Sequence, residues 1–442
     1  WCQGCATRYF KDNFDNWTSG NQNIDEIIKE TQMNSKLAID FVEWIPYEQF
    51  EQIEKINRGG FGTIYSAVWK QGPLSMNENR FRQPKNILRR TKNIQVALKG
   101  GISTEYLKEL CMQIKCCTSS NLYANSLTGR KVGRSPILRF YGLTKRPISE
   151  DSDEYMLVIQ FAKGGNLLTY LSTNFNQMKW LEDKLPILAH IAYGLKIIHK
   201  EGLIHRDLHH GNILINNNIP YISDFGLSHP YNREDSTTDK LFGVVPFIAP
   251  EVLSKRQYTP KSDVYSFGII MWMFTFGHLP FRDHRYDTDL ALKIFNGSRP
   301  PIINGTPSCF INLMQRCWNH DPEQRPTSSE IYDIMVEWYY LKNYKEFKAL
   351  DKILLSQNTQ VVELPTIQNV QDVEPPMMQN TQEIEPPMMQ NNFDTSHSLI
   401  DTSEFPGIHY YYVLKKHFID DVLITSVFRF RHNKLENRRL VI

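Results

Sequence analysis

Ile204-His205-Arg206-Asp207-Leu208-His209-His210-Gly211-Asn212, followed a short strand later by Asp224-Phe225-Gly226, is the stretch on which the reading of this chain turns. An Asp and an Asn five residues apart in one loop, with a second Asp on the next turn, bring three oxygen-bearing side chains toward one point. Such a set can hold a hydroxyl group and a divalent cation beside a polyphosphate. Either fragment alone also occurs in loops of no chemical interest. The two together, in order and correctly spaced, leave that bland reading little room.

Upstream, residues 50–56 alternate as a strand, and Asn57-Arg58-Gly59-Gly60-Phe61-Gly62-Thr63-Ile64-Tyr65 turns it back into Ser66-Ala67-Val68-Trp69. Gly59 and Gly62 carry no side chain, so the backbone amides of this hairpin can approach phosphate groups. A polar, basic insertion follows at 71–93, with Arg80, Arg82, Lys85, Arg89, Arg90 and Lys92, and reads as a solvated hairpin extension. Val96-Ala97-Leu98-Lys99 is then a strand with one Lys at its end. The spacing predicts a helix over 103–114, capped by Ser103 or Thr104, with Tyr106, Leu110 and Ile114 on one stripe. Glu105 and Glu109 share a face of it. Both are candidates to orient Lys99, and Glu109, deeper in the helix, is preferred. The apolar run 155–159 is too short for a helix and leads into Gln160-Phe161-Ala162-Lys163-Gly164-Gly165, a strand and link whose backbone groups can meet an adenine edge. An apolar-periodic helix at 185–199 delivers the chain to the Asp207 loop.

Past Asp224 the chain runs through Ser228, Tyr231, Ser236, Thr237, Thr238 and Lys240 to Ala249-Pro250-Glu251. Ser262-Asp263-Val264-Tyr265-Ser266-Phe267-Gly268 opens an apolar helix, and Cys317-Trp318, Asp321-Pro322 and Arg325-Pro326-Thr327 come later. With these motifs quoted, residues 50–341 resemble a complete eukaryotic protein kinase domain. The Asp263 helix and the Cys317 to Thr327 ending are most similar to the tyrosine kinase-like group of Ser/Thr kinases. Phe14-Asp15-Asn16-Trp17-Thr18-Ser19-Gly20 and the His209-His210-Gly211 loop resemble a large kinase family expanded in arbuscular mycorrhizal fungi.

The resemblance implies a two-lobed α+β fold, a small β-rich lobe to about Phe161 and a larger helical lobe after it. It implies ATP and Mg2+, and transfer of the γ-phosphoryl group to a hydroxyl of a protein substrate. On that reading Asp207 orients or deprotonates the acceptor hydroxyl, Asn212 and Asp224 hold the metal, and Lys99, steadied by Glu109, grips the inner phosphates. Asn57, Gly59, Gly60, Gly62, Ile64, Ala97, Ile159, Gln160, Ala162 and Leu214 surround the nucleotide, with Ile159 as gatekeeper and 160–162 as hinge. His205 packs beneath the cleft, Arg206 offers a cation to a phosphorylated loop, Asp263 caps the catalytic-loop backbone and Arg325 pairs with Glu251. Three positions depart from the pattern. Asn57 replaces the first glycine of the loop, His209 stands where Ser/Thr kinases carry Lys, and Val244 stands where they carry a Thr that meets that Lys. The paired change reads as a substituted design, with His209 a candidate catalytic group donating to phosphate as imidazolium. An active enzyme preferring Ser/Thr is expected, with dual-specificity or tyrosine phosphorylation as an alternative, because the Arg-containing loop of tyrosine kinases is absent too. A pseudokinase scaffold is the rival from another class, disfavoured because every metal and base position is kept. A small-molecule kinase is disfavoured by the intact Ala249-Pro250-Glu251 segment.

The bulk properties agree. In 442 residues, 41% hydrophobic and 22% charged, there is ample apolar material for two lobes. A net charge of +2 supplies no field for nucleic acid or an anionic membrane. Seven unevenly spaced Cys read as reduced thiols. No signal peptide opens the chain and no apolar run reaches the ~18 residues of a spanning helix. The expectation is a soluble cytoplasmic enzyme whose partners are protein substrates and an upstream activating kinase. Cys2 and Cys5 form at best half a zinc site. Residues 1–49 form an extension in which Ile24, Ile27 and Ile28 mark a short amphipathic helix. After 341 the composition shifts: Glu374-Pro375-Pro376-Met377-Met378-Gln379-Asn380 recurs at Glu385, with a weaker copy at Glu363, a spacing of 11. Paired prolines exclude a helix there, so 342–408 reads as a disordered tether and 409–442 as a segment of undetermined structure.

Overall fold

The strands of the first 160 residues each have a face that must leave water, and one sheet accommodates them. The computed structural model describes residues 3–35, 41–59, 62–76, 88–100, 112, 114, 116–117, 135–149, 152–225, 228–230, 243–340, 344–359, 408–411 and 429–432. Helices α1 (Gln3–Lys11) and α2 (Gln22–Asn34) precede β1 (Glu43–Trp44), β2 (Phe50–Gly59) and β3 (Gly62–Trp69). A side hairpin of β4 (Leu74–Met76) and β5 (Leu88–Arg90) leads to β6 (Ile94–Lys99), β7 (Phe140–Ser149) and β8 (Ser152–Gln160). The main sheet has the order β1-β7-β8-β6-β3-β2, antiparallel except for the parallel pair β1 and β7.

Period-two alternation splits this sheet into two faces. One buries Phe50, Trp69, Val96, Leu98, Met156 and Val158. On the other, Phe140, Leu143 and Leu157 receive Ile24 and Ile28 of α2, with Ile114 beside them. The amphipathic helix read from Ile24, Ile27 and Ile28 therefore docks on the sheet. Strand β1 reaches the β7 edge at Gly142, where a Cβ would lie 1.9 Å from the Glu43 carbonyl oxygen, so only glycine admits the added strand. Arg90 pairs with Glu43 and donates to the Gly72 carbonyl (2.7 Å). The base of the 71–93 insertion is thus fastened to the extension, whereas its charge pattern reads as fully solvated. The reason is that Glu43, 47 residues away in sequence, is buried and needs a cation.

The helical part contains α3 (Leu167–Asn174), a π-helical turn (Trp180–Lys184), α4 (Leu185–Lys200), α5 (Pro250–Lys255), α6 (Pro260–Phe276), α7 (Thr288–Phe295), α8 (Ser308–Cys317), α9 (Ser328–Tyr340) and α10 (Tyr344–Thr359). Short strand pairs lie among them. They are β9 (Leu203–Ile204) with β12 (His229–Pro230), and β10 (Ile213–Asn216) with β11 (Ile219–Ile222). Further on, β13 (Ile408–Tyr411) pairs with β14 (Arg429–His432). Helix α6 is apolar all round, and residues 262–275 are accordingly buried, which makes it the axis of the lobe. Thr259 and Ser262 form a capping box at its start and Gly277 ends it in the left-handed region. Arg325, buried, binds Glu251 through both oxygens (2.7 and 2.8 Å) and the Asn319 carbonyl through Nε (2.8 Å), so its donors are satisfied. The Glu251–Arg325 pair expected from the resemblance is present.

Helix α10 occupies residues read as the start of a disordered linker. Phe347 is wholly buried against Trp180 (5.7 Å between ring centroids) and Trp338 (5.6 Å). Asp351 accepts the Trp180 and Leu181 N–H groups (2.6 and 3.1 Å), two of the orphan donors at the start of the π-turn and α4. Glu346 does the same for the Ser308 N–H (2.7 Å) at the start of α8. Phe347, Leu350 and Asp351 recur at helical spacing, but the stripe is short beside the proline repeats that follow, and its partners lie far off in sequence.

Phe347→Ala should cost about 3–5 kcal/mol through the cavity it leaves, and Asp351→Ala about 1–3 kcal/mol per orphaned N–H. Urea unfolding of each variant is the check; a midpoint equal to the parent's would mean α10 adds nothing. Truncation after 359 should leave the midpoint unchanged.

Candidate active site

Cross-strand partners share a face of a sheet, and the register of β2, β3, β6 and β8 assembles the candidate nucleotide wall from that rule. Ile64 is opposite both Asn57 and Lys99, and Ala97 is opposite Ile159. Lys99 and Ala97, two residues apart, therefore point the same way. Gly59 faces Gly62 at the end of the hairpin. Gln160 closes β8 opposite Val96, its N–H taken by the Arg139 carbonyl (2.9 Å). Ala162 begins the link to α3, and Leu214 on β10 bridges to Asn166 at the start of that helix. Gly60, Glu105 and Glu109 lie outside the described residues, as do the side chains of Cys2 and Cys5.

The floor of the cleft is a hairpin extended by side chains. The β10–β11 ladder continues past Ile213 and Ile222 into a bond from the Ser223 N–H to the Asn212 carbonyl (2.9 Å), reinforced by Ser223 Oγ (3.0 Å). This sets Asn212 beside the residue preceding Asp224. Lys99 Nζ reaches Asp224 Oδ1 at 2.9 Å, a contact through which the sheet meets the floor, and Lys99 is only 6% exposed. Asn212 Nδ2 donates to the Asp207 carbonyl (2.8 Å) and to Asp207 Oδ2 (3.0 Å). The amide oxygen of Asn212 then remains for a ligand.

His205 is buried: its Nδ1 accepts the Asp207 N–H (3.3 Å), and its Nε2 donates to the Ser223 carbonyl (3.1 Å). The expectation that His205 packs beneath the cleft holds, and Phe225 lies against it at 5.4 Å. Asp263 Oδ2 accepts the His205 N–H (2.8 Å) and Oδ1 the Arg206 N–H (3.0 Å), the cap the resemblance implies. Arg206 and Asp224 adopt φ of +69° and +64°, left-handed backbone that costs non-glycine residues about 1–2 kcal/mol each. The Arg206 guanidinium stacks over Tyr258 at 4.8 Å. Sequence reasoning did not find Tyr258, nor His199, which links Asp263 (2.8 Å) to Ser328 (2.9 Å), since neither belongs to a spaced motif.

His209 Nδ1 accepts the Gly211 N–H (3.0 Å), and its Nε2 faces Asp207 Oδ1 at 3.5 Å. The local turn from His210 to Asn212 needs a cap, and the side chain two residues before Gly211 supplies it. Among the described residues no group of three or more His, Cys, Asp and Glu could cage a metal. Mg2+ does not need one: it takes one or two protein oxygens and fills its octahedron with water and phosphate oxygens. Asn212 and Asp224 fit that demand.

The sequence profile of the family described as protein tyrosine and serine/threonine kinase matches residues 50–335. A protein of Dictyostelium discoideum named as a probable serine/threonine-protein kinase is 28% identical over 296 residues, covering 66% of this chain and 28% of that protein. The Arabidopsis thaliana serine/threonine/tyrosine-protein kinase HT1 is 29% identical over 203 residues, 46% of this chain and 50% of that one. Human mitogen-activated protein kinase kinase kinase 7 is 29% identical over 304 residues, 66% of this chain and 42% of that one. The chain thus spans half or less of the length of these relatives.

Two histidines of the helical lobe are held neutral by burial. His210 is pushed down to about 3 and His190, on α4, to about 4. Both lie below the ordinary imidazole value near 6.5, so as pH falls the unfolded chain takes up protons that the folded one refuses. Stability should therefore drop between about pH 6.5 and 4, by up to ~1.4 kcal/mol per pH unit for each histidine. Urea midpoints across that range test it. The slope should flatten in His190→Leu/His210→Leu, and an unaltered slope would place the loss elsewhere.

Proposed function

Because the chain belongs to the protein tyrosine and serine/threonine kinase family, we propose that it transfers the γ-phosphoryl group of MgATP to Ser and Thr hydroxyls of protein substrates. The observation that carries the reading is the convergence of Lys99, Asp207, Asn212 and Asp224 on one cleft floor, with Lys99 on Asp224 and Asn212 on Asp207. A pseudokinase would have no use for that many mutually oriented polar side chains.

In this reading the acceptor oxygen forms the new bond to phosphorus, the bond from phosphorus to the bridging oxygen breaks, and ADP leaves. Asp207 aligns the hydroxyl and takes its proton. Lys99 steadies the inner phosphates, and Glu109 is assigned to orient it. Asn57, Gly59, Gly60 and Gly62 cover the phosphates, while Ile64, Ala97, Ile159, Gln160, Ala162 and Leu214 enclose the base and ribose. Asn212 and Asp224 would hold Mg2+, which supplies charge neutralisation at the phosphate oxygens when bound. Most of the rate then comes from positioning and fixed charges, because the loose transition state leaves the protein little covalent work.

The Ser/Thr preference rests on the names of the relatives and on the absence of a tyrosine-kinase type catalytic loop. Phosphorylation of the segment 226–242 by an upstream kinase, with Arg206 as its cationic partner, belongs to the same proposal, as does a cytoplasmic setting. No helix among the described residues is long and apolar enough to cross a membrane.

Lys99→Met and Asp207→Asn should each lower phosphoryl transfer by at least ~100-fold while leaving the thermal midpoint within a few degrees. Radiolabelled transfer from ATP, with sites mapped by mass spectrometry, provides the measurement. Near wild-type turnover in either variant would remove that residue from the mechanism, and phosphotyrosine as the sole product would remove the Ser/Thr assignment.

A further inference from the structure

Asp207 is gripped on one side only. Its Oδ2 accepts Asn212 Nδ2 at 3.0 Å, whereas Oδ1, buried, makes no hydrogen bond among the described residues. A buried carboxylate oxygen without a donor is costly, and at a site where direction matters it also leaves the group free to rotate. What surrounds Oδ1 is therefore informative. Gly243 brings no side chain, its missing Cβ falling 3.5 Å away. His209 brings Nε2, at 3.5 Å.

The orientation of that ring is determined by its other nitrogen. Nδ1 accepts the Gly211 N–H at 3.0 Å, so a proton there would point at another proton, and the ring proton sits on Nε2. The ring is wedged: a Cβ at Gly211 would lie 2.7 Å from its Cε1, and Phe247 and His210 flank it at 6.2 and 5.4 Å between centroids. The Nε2–H therefore lies beside the carboxylate oxygen of Asp207 that lacks a donor among the described residues.

We propose that His209 is a positioning residue that holds Asp207 Oδ1 through Nε2–H while Asn212 holds Oδ2. The inference rests on the kinase reading of this cleft. The 3.5 Å separation is about half an ångström beyond a full hydrogen bond, and such contacts in ligand-free sites tighten when substrate closes the loop. Oδ1 retains a second lone pair for the acceptor hydroxyl. A loose transition state asks for orientation more than for basicity, so clamping the carboxylate favours transfer even though the extra donor makes it a weaker base.

Two substitutions separate the clamp from the cap. His209→Asn keeps an oxygen for the Gly211 N–H, Asn being a favourable cap, but is too short to reach Asp207. His209→Gln can offer both an acceptor and a reaching N–H. His209→Asn should keep the thermal midpoint within a few degrees, lower kcat by about 10–100-fold and leave KM for ATP within about twofold; His209→Gln should recover kcat to within about fivefold. A kcat within twofold of wild type in His209→Asn would overturn the proposal. So would a rise in KM for ATP at constant kcat, which would mean a phosphate contact. Nitrogen-15 NMR of the wild-type imidazole gives a readout independent of turnover: a proton on Nε2 is expected, and an Nδ1–H tautomer with a bare Nε2 would overturn the proposal. If the wild-type protein transferred no phosphate, the kinase reading would fail while the tautomer would still decide the state of His209.

Discussion

One buried carboxylate bears the catalytic loop. Asp263, 1% exposed, receives the N–H groups of His205 and Arg206 and the ring of His199, so three elements converge on a single side chain. Its own position is secured because α6 is apolar on every side and has nowhere to go but the centre of the helical lobe. A charge buried that deeply would be prohibitive alone, and it is tolerable because each oxygen accepts hydrogen bonds. The left-handed backbone at Arg206 then becomes sustainable: Asp263 takes the very N–H that this conformation turns inward.

From that anchor the site is built by short links. His205 binds the Asp207 N–H and the Ser223 carbonyl, Ser223 binds Asn212, and Asn212 binds Asp207, closing a circuit of hydrogen bonds beneath the cleft. Such a circuit limits each member to one orientation, which suits chemistry that depends on placement. The sheet meets the floor through the Lys99–Asp224 ion pair, among other contacts, where two residues 125 apart in sequence come together.

The regions flanking the domain share a purpose. At one end, β1 extends the sheet along β7 and α2 covers its inner face next to Ile114. At the other, α10 places Phe347 in the aromatic cluster of Trp180 and Trp338 and caps two helix starts with Asp351 and Glu346. Both are fastened by burial together with satisfied polar groups, a combination that distinguishes an integral element from an appended tail.

Much of this was legible in the residues themselves. Lys99, Asp207, Asn212 and Asp224 stand in motifs that resemble those of protein kinases, and period-two and helical patterns placed β2, β8, α2 and α4 within a few residues. Local rules suffice there because strand alternation and helix stripes are written in neighbouring side chains. What the tertiary structure alone decided are relations between distant residues. The helix after residue 343, the fastening of the 71–93 insertion through Glu43, and the direction of the His209 ring each depend on a partner supplied by folding. In the sequence His209 is a basic residue where a lysine is usual; in the fold the Gly211 N–H occupies Nδ1 and Nε2 faces Asp207. Composition determines which groups are present, but the direction of a buried side chain is set by the atoms packed around it.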